Sequence, residues 1–158
     1  MTLTVFVEAE AGSRDKGLYD ESTLARKGTR RALVPYPYPY GFVLGTPGGD
    51  DGECLDCFVI THRRLFAGRE YRVEPIGILE MNENGEQDWK LLARLPDEEV
   101  PLANPGSAVD ALRQDLSAFI HKIFTAYPDV RIEIGSILPA TKAEAIVSSR
   151  MEAGDSAR

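Results

Sequence analysis

The chain has 158 residues, 43% of them hydrophobic and 27% charged, with a formal net charge of −7. That is the length and balance of one globular domain, residues 1–158 taken as a single unit. No apolar run approaches the roughly 18 residues of a membrane helix, and an acidic chain lacks the basic face of a general nucleic-acid binder. The N-terminus MTLTVFVEAE has neither a basic n-region nor a cleavage site, so no signal peptide is expected. Two cysteines without an export signal fit a reducing cytoplasm.

Leu3 to Glu8 alternates as a strand, with Gly12 and Ser13 breaking it. Residues 21–31 are charged and irregular and read as a turn or short hairpin. VPYPYPYGF (34–42) carries prolines at alternate positions, which forbid a helix and a central strand and leave a stiff extended segment. Leu55–Thr61 and Val73–Met81 read as strands, Gly77 marking a bulge or close approach. NENG (82–85) is a hairpin turn, Trp89–Leu95 the returning strand, and 96–106 a proline-rich loop. Ser107 reads as a helix N-cap. Val109, Leu112, Leu116, Phe119, Ile120 and Ile123 follow at helical spacing, Tyr127 continues the face, and Pro128 stops it. A short strand is expected over Val130–Ile134 and a second helix from about Thr141 to Met151. These elements suit a small barrel of antiparallel strands with two helices against it.

The stretch GGDDGECLDCFVI (48–60) concentrates the chemistry. Its Cys54 and Cys57 are three apart beside a strand, so they point to opposite faces and do not converge on a metal. His62 and His121 are the only histidines available to complete a zinc site. Small buried residues are the better reading of both cysteines. The acids have two readings. One is a solvated turn. The other is a hard-cation site, because Gly48, Gly49 and Gly52 let the backbone turn tightly and Asp56 opens a rigid strand. Glu83, Glu86 and Asp88 in NENGEQD form a second acidic turn able to face the first. GSRDK (12–16) and GTRR (28–31) bring cations suited to phosphate, each beside a flexible turn.

Taken in order, five segments resemble the family I soluble inorganic pyrophosphatases over nearly the whole chain. They are EAEAGSRDK (8–16), YPYPYG (36–41), DGECLD (51–56), GEQDWK (85–90) and the helix ending at Tyr127. The resemblance is to a divergent member. It implies an α+β, mainly β fold: an OB-like five-stranded closed barrel with a flanking hairpin and two C-terminal helices. It also implies Mg²⁺-dependent hydrolysis of pyrophosphate to two phosphates in a cytoplasmic homo-oligomer, hexameric in bacterial members. By the family pattern Asp51, Asp56, Asp88, Glu8 and Glu83 correspond to acids of the metal cluster. Glu53 and Asp56 sit at positions that hold or deprotonate the attacking water. Lys16, Arg30, Tyr40, Lys90 and Tyr127 match phosphate-contacting groups, with Arg31 the alternative to Arg30.

The departures fall at functional positions. Glu53-Cys54 stands where the family has Asp-Pro, and Asp50 and Asp51 compete for the first metal position. Pro39 replaces an asparagine, Leu18 an acid and Pro128 a lysine, with Arg131 just beyond. The acid of the second hairpin is Asn82 or Glu83. Misplacing a catalytic group by about 1 Å can cost around a hundredfold. The departures therefore leave an alternative reading: a paralogue with weak or no turnover that binds a phosphorylated ligand or serves as an interaction subunit. A third reading keeps hydrolysis but admits an organic diphosphate into space opened by Leu18.

Overall fold

The computed structural model describes residues 1–48, 52–100 and 107–156. Strands β1 (Leu3–Ala9), β2 (Asp15–Tyr19), β3 (Arg26–Arg31), β4 (Tyr40–Val43), β5 (Asp56–Val59), β6 (Glu70–Glu83), β7 (Glu86–Gln87) and β8 (Lys90–Arg94) come first. Helix α1 (Ser107–Phe124), strand β9 (Ile132–Pro139) and helix α2 (Ala140–Ser156) follow. Five strands pair in the order β1-β4-β5-β8-β6, and β6 returns to pair with β1, closing the OB-like ring. β2 and β3 extend from β1 as a flanking hairpin, and β9 pairs with β6 outside the ring. Four of the ring's contacts are antiparallel, as expected, but β5 and β8 run parallel. The long β6 lies between them in the chain and folds back on β8, so β8 reaches β5 in the same direction.

Side chains on a strand alternate in direction, and the ring sorts them by chemistry. Val5, Val7, Val43, Cys57, Val59, Val73, Ile78, Leu91 and Ala93 form one buried cluster, fed by all five ring strands and plugged by Ala143 and Val147 of α2. The alternate residues Tyr40, Phe58, Leu79, Met81 and Leu92 point outward and meet Leu112, Leu116, Phe119 and Ile120 of α1. The helical spacing read in the sequence thus becomes the face that covers the ring. Arg113 ties α1 to β9 by donating to the carbonyls of Gly135 and Ile134 at 2.5 and 3.3 Å.

Local sequence chemistry explains the turns. Asn84 and Gly85 both take positive φ, 52° and 82°, the twist a two-residue hairpin demands. At Gly77 the β6–β8 register shifts, and a Cβ there would lie 2.9 Å from the Leu138 carbonyl oxygen, so both expected roles of this glycine are met. The prolines of 34–39 keep the chain out of the ladder until Tyr40 opens β4.

Other elements differ from expectation. Of the two readings of residues 21–31, a hairpin is the one found, and it is longer than read: β2 and β3 set Lys16 and Arg30 directly opposite one another in register. Exposed charges on both faces hide the alternation that would reveal these strands. β9 runs to Pro139 and passes straight into α2, without the loop expected after Ile134. α1 ends at Phe124, and Tyr127 sits in the following turn, its N–H donating to the Phe124 carbonyl at 2.9 Å. No described helix is long and apolar enough to cross a membrane. The N-cap side chain expected at Ser107, and residues 101–106 of the proline-rich loop, lie outside the described residues.

Candidate active site

The outer face of the ring becomes polar at one end. Asp56 precedes Phe58 by two residues and Lys90 precedes Leu92 by two, so both polar side chains share the outward face. The parallel register pairing Cys57 with Leu91 brings Asp56 level with Lys90. Lys90 is buried, and its ammonium donates to Asp56 Oδ2 at 2.6 Å and to Asp88 Oδ2 at 3.0 Å. Asp56 and Asp88, one from each acidic segment, therefore face one another with a lysine between them. Tyr40 lies beneath, with the Lys16 and Lys90 ammoniums 5.3 and 5.8 Å from its ring centroid. That is within the range of cation–π attraction.

A cavity of 340 Å³ opens over this cluster. Lys16, Arg30, Tyr40, Glu53, Asp56, Glu83, Asp88, Lys90 and Tyr127 all line it, together with apolar groups from α1. A wider adjoining cavity shares Lys16, Arg30, Glu53 and Asp56 and adds Glu8 and Leu18. Asp51, like the competing Asp50, lies outside the described residues. Among the described residues no three carboxylates, histidines or cysteines converge as a metal centre. The residues of two alternatives left by the sequence differ in their surroundings. Glu83 lines the main cavity while Asn82 lines a different one, bordered by Glu133, Ile134 and Gly135 of β9. Arg30 stands opposite Lys16, whereas Arg31 stands opposite Asp15 and pairs with it at 3.9 Å, although both arginines reach the cavity.

The electrostatics follow from burial and this charge pattern. Burial works to raise the Asp56 pKa, but the charge and hydrogen bond of Lys90, with Lys16 and the Tyr40 hydroxyl, carry it below the usual carboxylate value. Burial acts to lower the Lys90 pKa, and Asp56 and Asp88 more than reverse it. Glu8 is pushed up to about 7, chiefly by burial, with Asp56 and Glu21 adding and Lys16 opposing. Glu83 is raised by burial and by Asp88. Tyr40 is held well above its ordinary value by burial and by Asp56, so it remains a hydroxyl donor. Lys16 and Arg30 side by side across a ladder repel, and an anion between them relieves that.

The cysteines do not join this site. Cys54 packs with Phe6 and Phe42 under the β2–β3 hairpin, while Cys57 points into the ring. Burial raises the Cys54 thiol to about 11 and the Cys57 thiol further, leaving both inert. Glu21 was not singled out by any sequence signal. Its carboxylate accepts the Cys54 N–H at 2.8 Å, tying the acidic loop to the hairpin. Thirty-three positions separate the two, so only the folded chain reveals the contact.

The family model described as inorganic pyrophosphatase matches residues 5–154. An inorganic pyrophosphatase of a Nostoc species is 33% identical over 138 residues, covering 86% of this chain and 80% of the relative. That of Sulfolobus acidocaldarius is 33% identical over 130 residues, covering 81% and 75%. The crystal structure of the Thermus thermophilus inorganic pyrophosphatase superposes with a TM-score of 0.85 over 98% of this chain and 91% of that one. At 22% identity this last likeness is one of fold.

Proposed function

The chain belongs to the inorganic pyrophosphatase family, a family of metal-dependent hydrolases, and on that premise we propose that it hydrolyses inorganic pyrophosphate to two phosphates with Mg²⁺ as its cation. The observation that carries this reading is the meeting of both charge signs in one cavity: Asp56, Glu83 and Asp88 beside Lys16, Arg30 and Lys90. Acids alone would repel a polyanion, and cations alone would bind it without a centre to activate water.

The donor set fits a hard divalent cation. The lining ligands are carboxylate oxygens, with no thiol or imidazole among them. Asp56 and Asp88 are already arranged around a positive charge, the Lys90 ammonium. Asp56 and Asp88 would hold the cation, with Glu83, Asp51 and Glu8 as further ligands by the family pattern. When bound, the cation neutralises substrate charge and acidifies water.

The chain's own groups perform the rest. Asp56, with Glu53 at the cavity wall, takes the proton of the attacking water. Its oxygen attacks one phosphorus in line, the bridging P–O bond breaks, and the electron pair leaves on the second phosphate. Lys16, Arg30 and Lys90 balance that charge, while the Tyr40 hydroxyl steadies Asp56 and Tyr127 donates from the rim. Phosphate release from pyrophosphate, with and without Mg²⁺, tests this. Asp56→Asn is expected to lower kcat by about 10²–10⁴-fold. Purified protein that releases no phosphate, or a variant at the parental rate, refutes the reading. The same family pattern supports a homo-oligomer, hexameric in its bacterial members. Light scattering on the purified chain checks it, and a monomer sets it aside.

A further inference from the structure

We infer that Arg150, on α2 and far in sequence from every residue of the cavity, is a positioning residue for the acidic loop. Its Nη2 donates to the Glu53 carbonyl oxygen at 3.1 Å. Its Nε is buried and has no hydrogen-bond partner among the described residues. It lines a cavity of 200 Å³ together with Asp56 and Asp88, which places its charge on the flank of the carboxylate cluster.

The contact is built from both sides. A Cβ on Gly48 of the loop would lie 2.5 Å from Ala153 Cβ and 2.9 Å from the Arg150 carbonyl oxygen. A Cβ on Gly154 of the helix would lie 2.9 Å from Pro47 Cδ. Loop and helix tail thus each present a glycine where the other approaches, and Arg150 closes the contact beyond them. Holding the Glu53 carbonyl restrains the backbone that aims the Glu53 side chain into the cavity. Glutamate has one more rotatable bond than aspartate, so its carboxylate depends more heavily on a fixed backbone. The consequence for catalysis rests on the pyrophosphatase reading; the anchoring does not.

The test compares Arg150→Ala and Arg150→Lys with the parent in two readouts. One is the Mg²⁺ dependence and kcat of pyrophosphate hydrolysis. The other is the alkylation rate of Cys54, the residue after Glu53, located by mass spectrometry. Arg150→Ala is expected to raise the Mg²⁺ concentration for half-activation by about 10-fold or more, lower kcat and speed Cys54 labelling. Lysine, still able to donate to the carbonyl, is expected to recover most of each loss. Unchanged labelling overturns the inference. So does faster labelling with parental Mg²⁺ dependence and kcat, or a lysine variant as impaired as the alanine one. A parent without activity refutes the proposed function instead, and labelling alone then decides the anchoring. If Arg150→Ala does not fold, Gly154→Ala presses on Pro47 from the other side of the contact, with the same expected rise in Cys54 labelling and the same overturning result.

Discussion

The two faces of the ring strands differ in kind. The inner face is aliphatic and closed: Val5, Val59 and Leu91 are fully buried, and α2 plugs the end. The outer face adds aromatic rings to Leu79, Met81 and Leu92: Tyr40 and Phe58 of the ring stack with Tyr36 and with Phe119 of α1 at centroid distances of 4.7 to 6.3 Å. Aliphatic side chains offer charges nothing, so a polar group inside the ring would lose its hydration without recompense. Aromatic rings offer a negative face and, in tyrosine, a hydroxyl. The outer face can therefore grade from core into a charged site within two residues, from Phe58 to Asp56 and from Leu92 to Lys90. Stability and chemistry are separated by strand alternation alone.

Substitution on each face tests that separation. Leu91→Ala empties space inside the ring and is expected to cost about 2–5 kcal/mol in urea unfolding, with kcat per folded molecule unchanged. A kcat that falls with it would mean the inner face shapes the site. Lys90→Met leaves Asp56 and Asp88 without their shared cation. Both carboxylates keep some contact with water, so the cost is about 2 kcal/mol, less than for a fully buried pair. It should also abolish most activity, which distinguishes it from Leu91→Ala.

The smallest effect belongs to the hairpin tip, away from both faces. Asp20 accepts from Ser22 Oγ at 2.7 Å and from the Ser22 and Thr23 N–H groups, each at 2.9 Å. These hydrogen bonds, the one from the Ser22 hydroxyl foremost, lower its pKa from 3.8 to about 2. A depressed carboxylate stabilises the fold above its unfolded pKa and loses that contribution as pH falls through the folded one. Asp20→Ala should therefore lower Tm slightly at about pH 5, and the difference should shrink as pH falls through about 2 and close below it. A gap that persists there would assign the effect to packing.

Strong periodicity made most of the frame legible. Alternation revealed β1, an apolar run revealed β5, the 3.6-residue spacing revealed α1, and Asn84-Gly85 revealed the hairpin that joins the strands read at 73–81 and 89–95. The β2–β3 hairpin was legible only as one of two readings, its strands blurred because charges lie on both faces, and β9 was shortened because its burial is too slight to pattern its residues. Among site residues, the grouped acids of 50–56 and 83–88 were visible as clusters. Only resemblance to a family brought Lys16, Arg30, Tyr40 and Tyr127 to them. Glu21 and Arg150 had no local signal at all, since each meets the acidic loop through the fold and not along the chain.

Sequence by itself determined which residues alternate, where the turns fall and which chemical groups are available, because those depend on neighbours within a few positions. Tertiary structure decided that β5 and β8 run parallel, that Lys90 lies between Asp56 and Asp88, and that α2 returns to the acidic loop. Those outcomes depend on the closure of the ring, which brings together residues whose separation along the chain carries no information about their distance in space.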